Sequence, residues 1–294
     1  MIIDGVFSGG GIRGYAYIGA YEVLEEKGFH FERLAGTSAG AIIAALIAAG
    51  YASWEVKELM DEADLESFLD TRKTLLPLPM AKWLLLYWRL GLYKGSNLEE
   101  WLEKKLAVKG IYTFADLKPG KLKVIASDLT NGRLLVLPDD LEQYGIPKEN
   151  FPVARALRMS CSIPYFFEPV RLKSLDGTSI LVDGGLLSNF PMWLFQNEEE
   201  QALRPVLGIK VTSKAAGHTK RSIKNGLHMF EALFSTMKDA HDNRHISRKV
   251  EKNVIFIPVE PGVAIDFGAD DQKKDALIKA GRERTIQFLK KWTY

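Results

Sequence analysis

Cysteine is almost absent: Cys161 stands alone among 294 residues. No intrachain disulfide can form, and a reducing, cytoplasmic setting is the simpler expectation. Charge of one sign is also lacking. With 39 basic and 37 acidic side chains the net charge is +2, which gives no support to nucleic-acid binding, where a strongly basic face is the usual mark. The opening Met1-Ile2-Ile3-Asp4-Gly5 carries an early acid and no basic residue, unlike a secretory signal. No internal repeat, low-complexity tract or long linker interrupts the chain, so residues 1–294 are read as one domain. At 47% hydrophobic content with balanced charge, intrinsic disorder is excluded.

Long hydrophobic runs are scarce too. Leu34 to Trp54 has no charged residue and would be long enough to cross a bilayer as one helix. It opens, however, with Leu-Ala-Gly-Thr-Ser-Ala-Gly, whose glycines read as a turn, and alanine and glycine outnumber leucine in it. A buried helix is the expectation.

What is present alternates. Ile2–Phe7 reads as a strand, Tyr15–Lys27 as a helix stopped by Gly28, Phe31–Ala35 as a second strand, then an Ala/Ile helix to Gly50 and a mixed helix over Trp54–Ala63. Further strands are expected at Leu122–Ile125, Leu134–Leu137, Ile180–Val182, Val206–Val211 and Val254–Pro258, with helices near Leu98–Leu106, Ser222–Ser247 and Asp271–Lys290. Apolar strands alternating with helices indicate an α/β sheet covered on both faces. Thr74–Leu92 breaks the pattern, with two prolines, two tryptophans and an apolar run from Trp83 to Trp88. Two readings stand: a cap packed over the core, favoured because apolar runs are mostly core, or an exposed lid whose aromatic residues meet a lipid interface.

Three glycine-bearing turns carry the chemistry. Gly36-Thr37-Ser38-Ala39-Gly40 is a G-x-S-x-G between a predicted strand and a predicted helix, the context of a nucleophile elbow. Small residues on either side let strand and helix approach, and the helix N-terminus sets free amides beside Ser38. The structural alternative is a helix-capping serine. Gly9-Gly10-Gly11-Ile12-Arg13-Gly14 formally fits the dinucleotide fingerprint. The acid expected at the end of the second strand is missing, because Glu32 lies at its beginning, and no Gly-Lys-Ser/Thr follows for a phosphate loop. The same loop suits an oxyanion, with the amides of Gly10 and Gly11 aimed at developing charge. Arg13 would hold the loop in shape or meet an anionic head group. Asp183-Gly184-Gly185 ends an apolar strand, so Asp183 is expected to emerge on the edge of the sheet where Ser38 lies and to serve as base. A turn aspartate capping Gly184 and Gly185 is its structural alternative. A Ser-Asp-His triad would need one of His218, His228, His241 or His245. None sits just after a strand, and the chain ahead of Ser38 has room for only two short strands. His241 and His245 lack the glutamate of a zinc helix and read as a solvated face.

Together these blocks resemble the patatin-like phospholipase family. Met159-Ser160-Cys161-Ser162-Ile163-Pro164 looks like the family's Ser-x-Ser/Ala-x-Pro segment, and Asn189-Phe190-Pro191 like its Asn-x-Pro. Order and spacing agree over roughly residues 2 to 192; beyond Pro191 the likeness is of architecture only, and Thr74–Leu92 matches no family motif. The resemblance implies a three-layer α/β/α fold with a mainly parallel central sheet. It also implies a lipid acyl hydrolase with a Ser–Asp dyad: Ser38 the nucleophile, Asp183 the base, and the Gly9, Gly10 and Gly11 loop the oxyanion hole, with Arg13, Gly14, Gly36, Gly40, Gly184 and Gly185 in support. No metal or cofactor is implied. The substrate would be a phospholipid, lysophospholipid or simpler acyl ester, with peripheral membrane contact through Thr74–Leu92. An acyltransferase or thioesterase would use the same machinery, and a catalytically silent lipid-binding module is the alternative from another class.

Overall fold

A computed structural model describes residues 1–72, 86–174, 177–196, 204–213, 223, 229, 232–237, 251–259 and 270–293. The chain begins with β1 (Ile2–Phe7), α1 (Tyr15–Glu26), β2 (His30–Thr37), α2 (Ala39–Ala48) and α3 (Ser53–Glu62). Then come β3 (Gly91–Tyr93), α4 (Ser96–Val108), β4 (Leu122–Asp128), β5 (Arg133–Leu137) and α5 (Val153–Ser160). The rest is β6 (Tyr165–Phe167), β7 (Val170–Ser174), β8 (Gly177–Asp183), β9 (Val206–Ser213), β10 (Val254–Val259) and α6 (Asp271–Leu289). The charge-free stretch from Leu34 is thus divided among β2, α2 and the start of α3. No helix among the described residues is long and apolar enough to cross a membrane.

β10, β9, β1, β2 and β4 are neighbours in that order, all parallel, while β5 and β8 pair with β4 antiparallel and β7 lies on β8. The parallel half follows from its connections: α1 and α2 each follow a strand, giving the crossover length that parallel neighbours need. Side-chain alternation splits the sheet into two faces. Ile3, Phe7, Leu34, Leu207, Ile209, Ile255 and Ile257 enter the large core with the helices. Val6, Ala35, Val206 and Val254 face a smaller core closed by Phe190, Met192 and Phe195. The architecture is mixed α/β, a central sheet flanked by helices.

The expected elements recur within a few residues of their boundaries. The long helix expected over Ser222–Ser247 falls mostly outside the described residues, although 232–237 are helical. Four elements were not anticipated: β3, β6, β7 and α5. β3 and β6 form a separate two-stranded sheet, with Gly91 opposite Tyr165 and Tyr93 opposite Phe167. That pairing fastens the chain after the Trp83–Trp88 run to the segment just beyond Pro164. Residues 87–90 are exposed rather than packed as a cap, with Tyr87 at 75% and Trp88 at 69%. Residues 73–85, Trp83 among them, lie outside the described residues.

α1 and α6 cross on reciprocal glycines. A Cβ on Gly19 would stand 1.9 Å from the Ile278 carbonyl oxygen, and one on Gly281 would stand 1.9 Å from that of Ala16. Backbone cannot swing aside as a side-chain tip can, so Gly281→Ala should destabilise the fold by about 1–3 kcal/mol, despite the ~1 kcal/mol helix advantage of alanine. Urea unfolding checks this; an unchanged midpoint would mean that the two helices do not meet so closely.

Candidate active site

The expected nucleophile sits where β2 turns into α2. Ser38 has φ +53° and ψ −126°, a left-handed conformation that costs a non-glycine residue roughly 1–3 kcal/mol and persists only where its surroundings enforce it. Those surroundings are the flanking glycines. A Cβ on Gly36 would meet the Gly40 carbonyl oxygen at 2.5 Å, and one on Gly40 would meet the Ser8 carbonyl oxygen at 2.4 Å. The Ser38 carbonyl accepts from the amides of Ala41 (2.8 Å) and Ile42 (3.2 Å), and its own N–H donates to Ser160 Oγ at 2.8 Å.

β4 brings the expected base to the same place. One edge of β4 is occupied by β5, with Val124 opposite Leu137 and Asp128 opposite Arg133. The other edge is shared: β2 takes the first part, ending with Thr37 opposite Ile125, and β8 takes the last, with Asp183 opposite Ala126. β2 and β8 therefore approach from opposite directions and end beside consecutive residues of one strand, a step of about 3.3 Å. Asp183 meets the end of β2, as expected, but from the opposite direction. It arrives head-on, because β8 runs antiparallel to β4. Thr37 Oγ1 ties the two ends by donating to the Ser188 carbonyl at 2.9 Å.

Asp183 is 2% exposed; one carboxylate oxygen accepts the Gly185 N–H at 2.7 Å, and its own N–H donates to the Ser162 carbonyl at 2.8 Å. The turn-capping contact named as its structural alternative is thus present, on one oxygen. Gly184 is where the turn needs room, since a Cβ there would lie 2.3 Å from the Ile125 carbonyl oxygen.

The glycine loop closes the site from the β1 side. Ser8 N–H donates to Ile209 O at 3.1 Å, and Gly9 N–H donates to the Asn189 carbonyl at 3.0 Å. The Gly9 amide is therefore engaged within the fold, unlike the expectation that counted it among the oxyanion donors, and Gly10 and Gly11 are the remaining candidates. Those two stand at the start of a 3-10 turn, Gly11–Gly14, where N–H groups have no intrahelical acceptor. Gly11 has φ +57°, which glycine adopts without penalty. Arg13 Nε donates to the Gly10 carbonyl at 3.3 Å, so it braces the loop from within. Gly14 packs on Ala39, where a Cβ would come within 3.1 Å of the alanine methyl.

Ser38 opens onto a cavity of about 100 Å³ whose walls also include Gly11, Cys161, Met60, Phe68, Trp101 and Phe167. Apart from Ser38, the walls offer hardly any polar surface. The Tyr15 phenol, also in the wall, is turned to the Met60 carbonyl at 2.7 Å; burial, then the charges of Asp61 and Asp271, push its pKa up. The Cys161 thiol stands in the same cavity wall as Ser38. Burial first, and then the nearby Asp183 charge, raise its pKa far above the ordinary thiol range, outweighing Arg158. It stays a thiol at any physiological pH.

Sequence reasoning quoted Ser160, Cys161 and Ser162 as a motif without giving them work. Their two-residue spacing at the end of α5 sets Ser160 Oγ on the Ser38 amide and the Ser162 carbonyl on the Asp183 amide. The cavity walls from α3 and α4 were missed, because Met60 and Trp101 carry no signal separating a pocket from a core. His218, His228, His241 and His245 lie outside the described residues.

A family model described as patatin-like phospholipase matches residues 5–195. The chain is 58% identical over its full length to the uncharacterized protein YqhO of Bacillus subtilis (strain 168), all of which it covers. It is 24% identical to the probable lipid hydrolase 463L of Invertebrate iridescent virus 6, covering 97% of this chain and 88% of that one. Of solved structures, VipD from Legionella pneumophila shares the fold, with a TM-score of 0.59 at 19% identity over 99% of this chain and 67% of VipD. With almost two thirds of its length inside the family match, the chain belongs to the patatin-like phospholipase family.

Proposed function

We propose that this protein is a lipid acyl hydrolase in which Ser38 is the nucleophile and Asp183 the general base. The observation that carries the reading is the strained Ser38, held at positive φ on the wall of an apolar cavity. Strain of this kind is retained where function needs it, and an apolar wall suits a hydrocarbon chain rather than a sugar or a peptide. The meeting of β2 and β8 on β4 supports Asp183 as the base, since no other described strand ends with an acid opposite that stretch of β4.

In the proposed cycle Ser38 Oγ attacks the ester carbonyl and its proton passes to the Asp183 carboxylate. The carbonyl oxygen becomes an oxyanion facing the Gly10 and Gly11 amides. Collapse expels the alcohol, which takes the proton from Asp183 and leaves an acyl ester on Ser38. Water then gives a proton to Asp183 as it attacks that ester. The second tetrahedral intermediate releases the fatty acid, and Ser38 recovers its proton. The Asp183 carboxylate, one oxygen of which also holds the Gly185 amide, is the proton acceptor. The Cys161 thiol, being protonated, does not compete as a nucleophile.

The substrate class is a phospholipid, lysophospholipid or related acyl ester. The exposed rings at Tyr87, Trp88 and Tyr165 support docking at a lipid surface, where amphipathic aromatics are at home. They are joined through β3 and β6 to Phe167 in the cavity wall, so a lipid engaged there would lie beside the pocket.

Ser38→Ala and Asp183→Asn should each reduce hydrolysis of a p-nitrophenyl ester to background, with far-ultraviolet circular dichroism unchanged; normal turnover by either variant would remove that residue from the mechanism. Gly10→Ala keeps the backbone N–H, but its Cβ would come within 2.9 Å of Val211 Cγ2 and push the amide out of line, so kcat should fall by up to about a hundredfold, the scale of one oxyanion donor taken out of reach, with KM little changed. Retention of full kcat would take the loop out of the mechanism. Replacing Tyr87 and Trp88 together by serine should weaken co-sedimentation with phospholipid vesicles while sparing turnover of the soluble ester. Unaltered sedimentation would exclude these rings as the membrane contact.

A further inference from the structure

We propose that Arg158 is a positioning residue for the reaction: its buried guanidinium locks the Ser160–Ser162 clamp, and through it Ser38 and Asp183, to the walls of the acyl cavity. The proposal rests on the reading of Ser38 and Asp183 given above.

Arg158 is 3% exposed and makes no ion pair among the described residues. Its hydrogen-bond acceptors are all neutral. NH1 donates to Ser162 Oγ at 2.5 Å, and NH2 donates to the carbonyls of Lys94 (2.5 Å) and Glu168 (2.7 Å). The guanidinium lies over the Phe167 ring, 5.2 Å from its centroid, and against Gly95, where a Cβ would fall 2.3 Å from Nε. Burial holds its pKa below the usual arginine value, yet arginine stays charged across the physiological range. A buried cation without a carboxylate is a poor choice for stability alone, since a well-packed apolar side chain would avoid the desolvation. What arginine offers here is a planar fork with donors in fixed directions.

Those directions lead to three structures that the reaction needs. The first is the clamp. Ser162 Oγ returns its own proton to the Arg158 carbonyl at 2.7 Å, so its side chain is held from both sides, and its carbonyl then takes the Asp183 amide. Two residues earlier, Ser160 Oγ takes the Ser38 amide. The second is β6, where the Glu168 carbonyl follows Phe167 of the cavity wall. The third is the start of α4, where Lys94 precedes the helix bearing Leu98 and Trp101, both cavity residues. Asp70 caps that helix independently, accepting from the amides of Gly95, Ser96 and Asn97, so α4 does not need Arg158 to begin. Among the described residues the guanidinium reaches clamp, β6 and α4 at once.

The experiment compares Arg158→Met, Arg158→Lys, Ser162→Ala and the Arg158→Met/Ser162→Ala double variant with the wild type, measuring kcat and KM on p-nitrophenyl butyrate and thermal midpoints. Arg158→Met should lower kcat at least about tenfold at temperatures well below its midpoint, within the range that an ångström of misplacement can cost, with KM changed much less. Arg158→Lys should recover part of that loss, since an ammonium can reach one or two of the acceptors. Ser162→Ala should lower kcat in the same sense, and the double variant should be little worse than Arg158→Met alone, because both substitutions break one linkage. Wild-type kcat in folded Arg158→Met, or losses in the two single variants that multiply in the double, would overturn the proposal. If Arg158→Met does not fold, Ser162→Ala decides: reduced kcat with a near-normal midpoint supports it, and unchanged kcat overturns it. If the wild type shows no turnover that Ser38→Ala abolishes, the hydrolase reading itself falls and takes this proposal with it.

Discussion

The site depends on how β4 divides one of its edges between two strands that run in opposite directions. β2 accompanies β4 from Leu122 to Ile125 and stops; β8 comes down the remainder and stops at Ala126. Neither can extend without colliding with the other, so each must leave the sheet there. β2 leaves through the Gly36–Gly40 turn, and β8 leaves through Asp183-Gly184-Gly185. Steric exclusion between two backbones thus concentrates an alcohol, a carboxylate and two glycine turns at one level of the sheet. Both exits are forced into conformations or contacts that only small residues allow, and the price is the strained backbone of Ser38.

Such a junction would be loose if only the strand ladders held it. Cross-links from elsewhere in the chain tighten it: Thr37 to Ser188, Gly9 to Asn189, Ser38 to Ser160 and Asp183 to Ser162. All four are short and buried, where a lost partner costs more than on the surface. They also hold Ser38 at the wall of a cavity that is otherwise apolar. The exposed aromatic residues after residue 85 precede β3, which pairs with β6, whose Phe167 is in the cavity wall.

The glycine turns were legible in the sequence because glycine punctuates it: Gly9 to Gly14, Gly36 to Gly40 and Gly184-Gly185 each interrupt an apolar run, and chain geometry requires a reason for that. The longer elements were legible through periodicity. The direction of β8 was not, since Ile180-Leu181-Val182 reads the same whether its neighbour is parallel or antiparallel. Three-residue strands such as β3 and β6 are too short to show a period. α5 was hidden by Arg155 and Arg158, which break the apolar pattern; Arg158 is buried all the same, because carbonyls rather than water satisfy it. The cavity walls were illegible for a related reason, as a methionine or tryptophan beside a void looks like one in a filled core until the backbone is traced.

The account stands on Ser38 being activated as a nucleophile in its strained turn. Intact-mass spectrometry after treatment with a fluorophosphonate, followed by peptide mapping, addresses that directly. A single adduct on the peptide containing Ser38, lost in Asp183→Asn, is the predicted result. An unmodified protein, or an adduct on a different serine with Ser38 untouched, would contradict it.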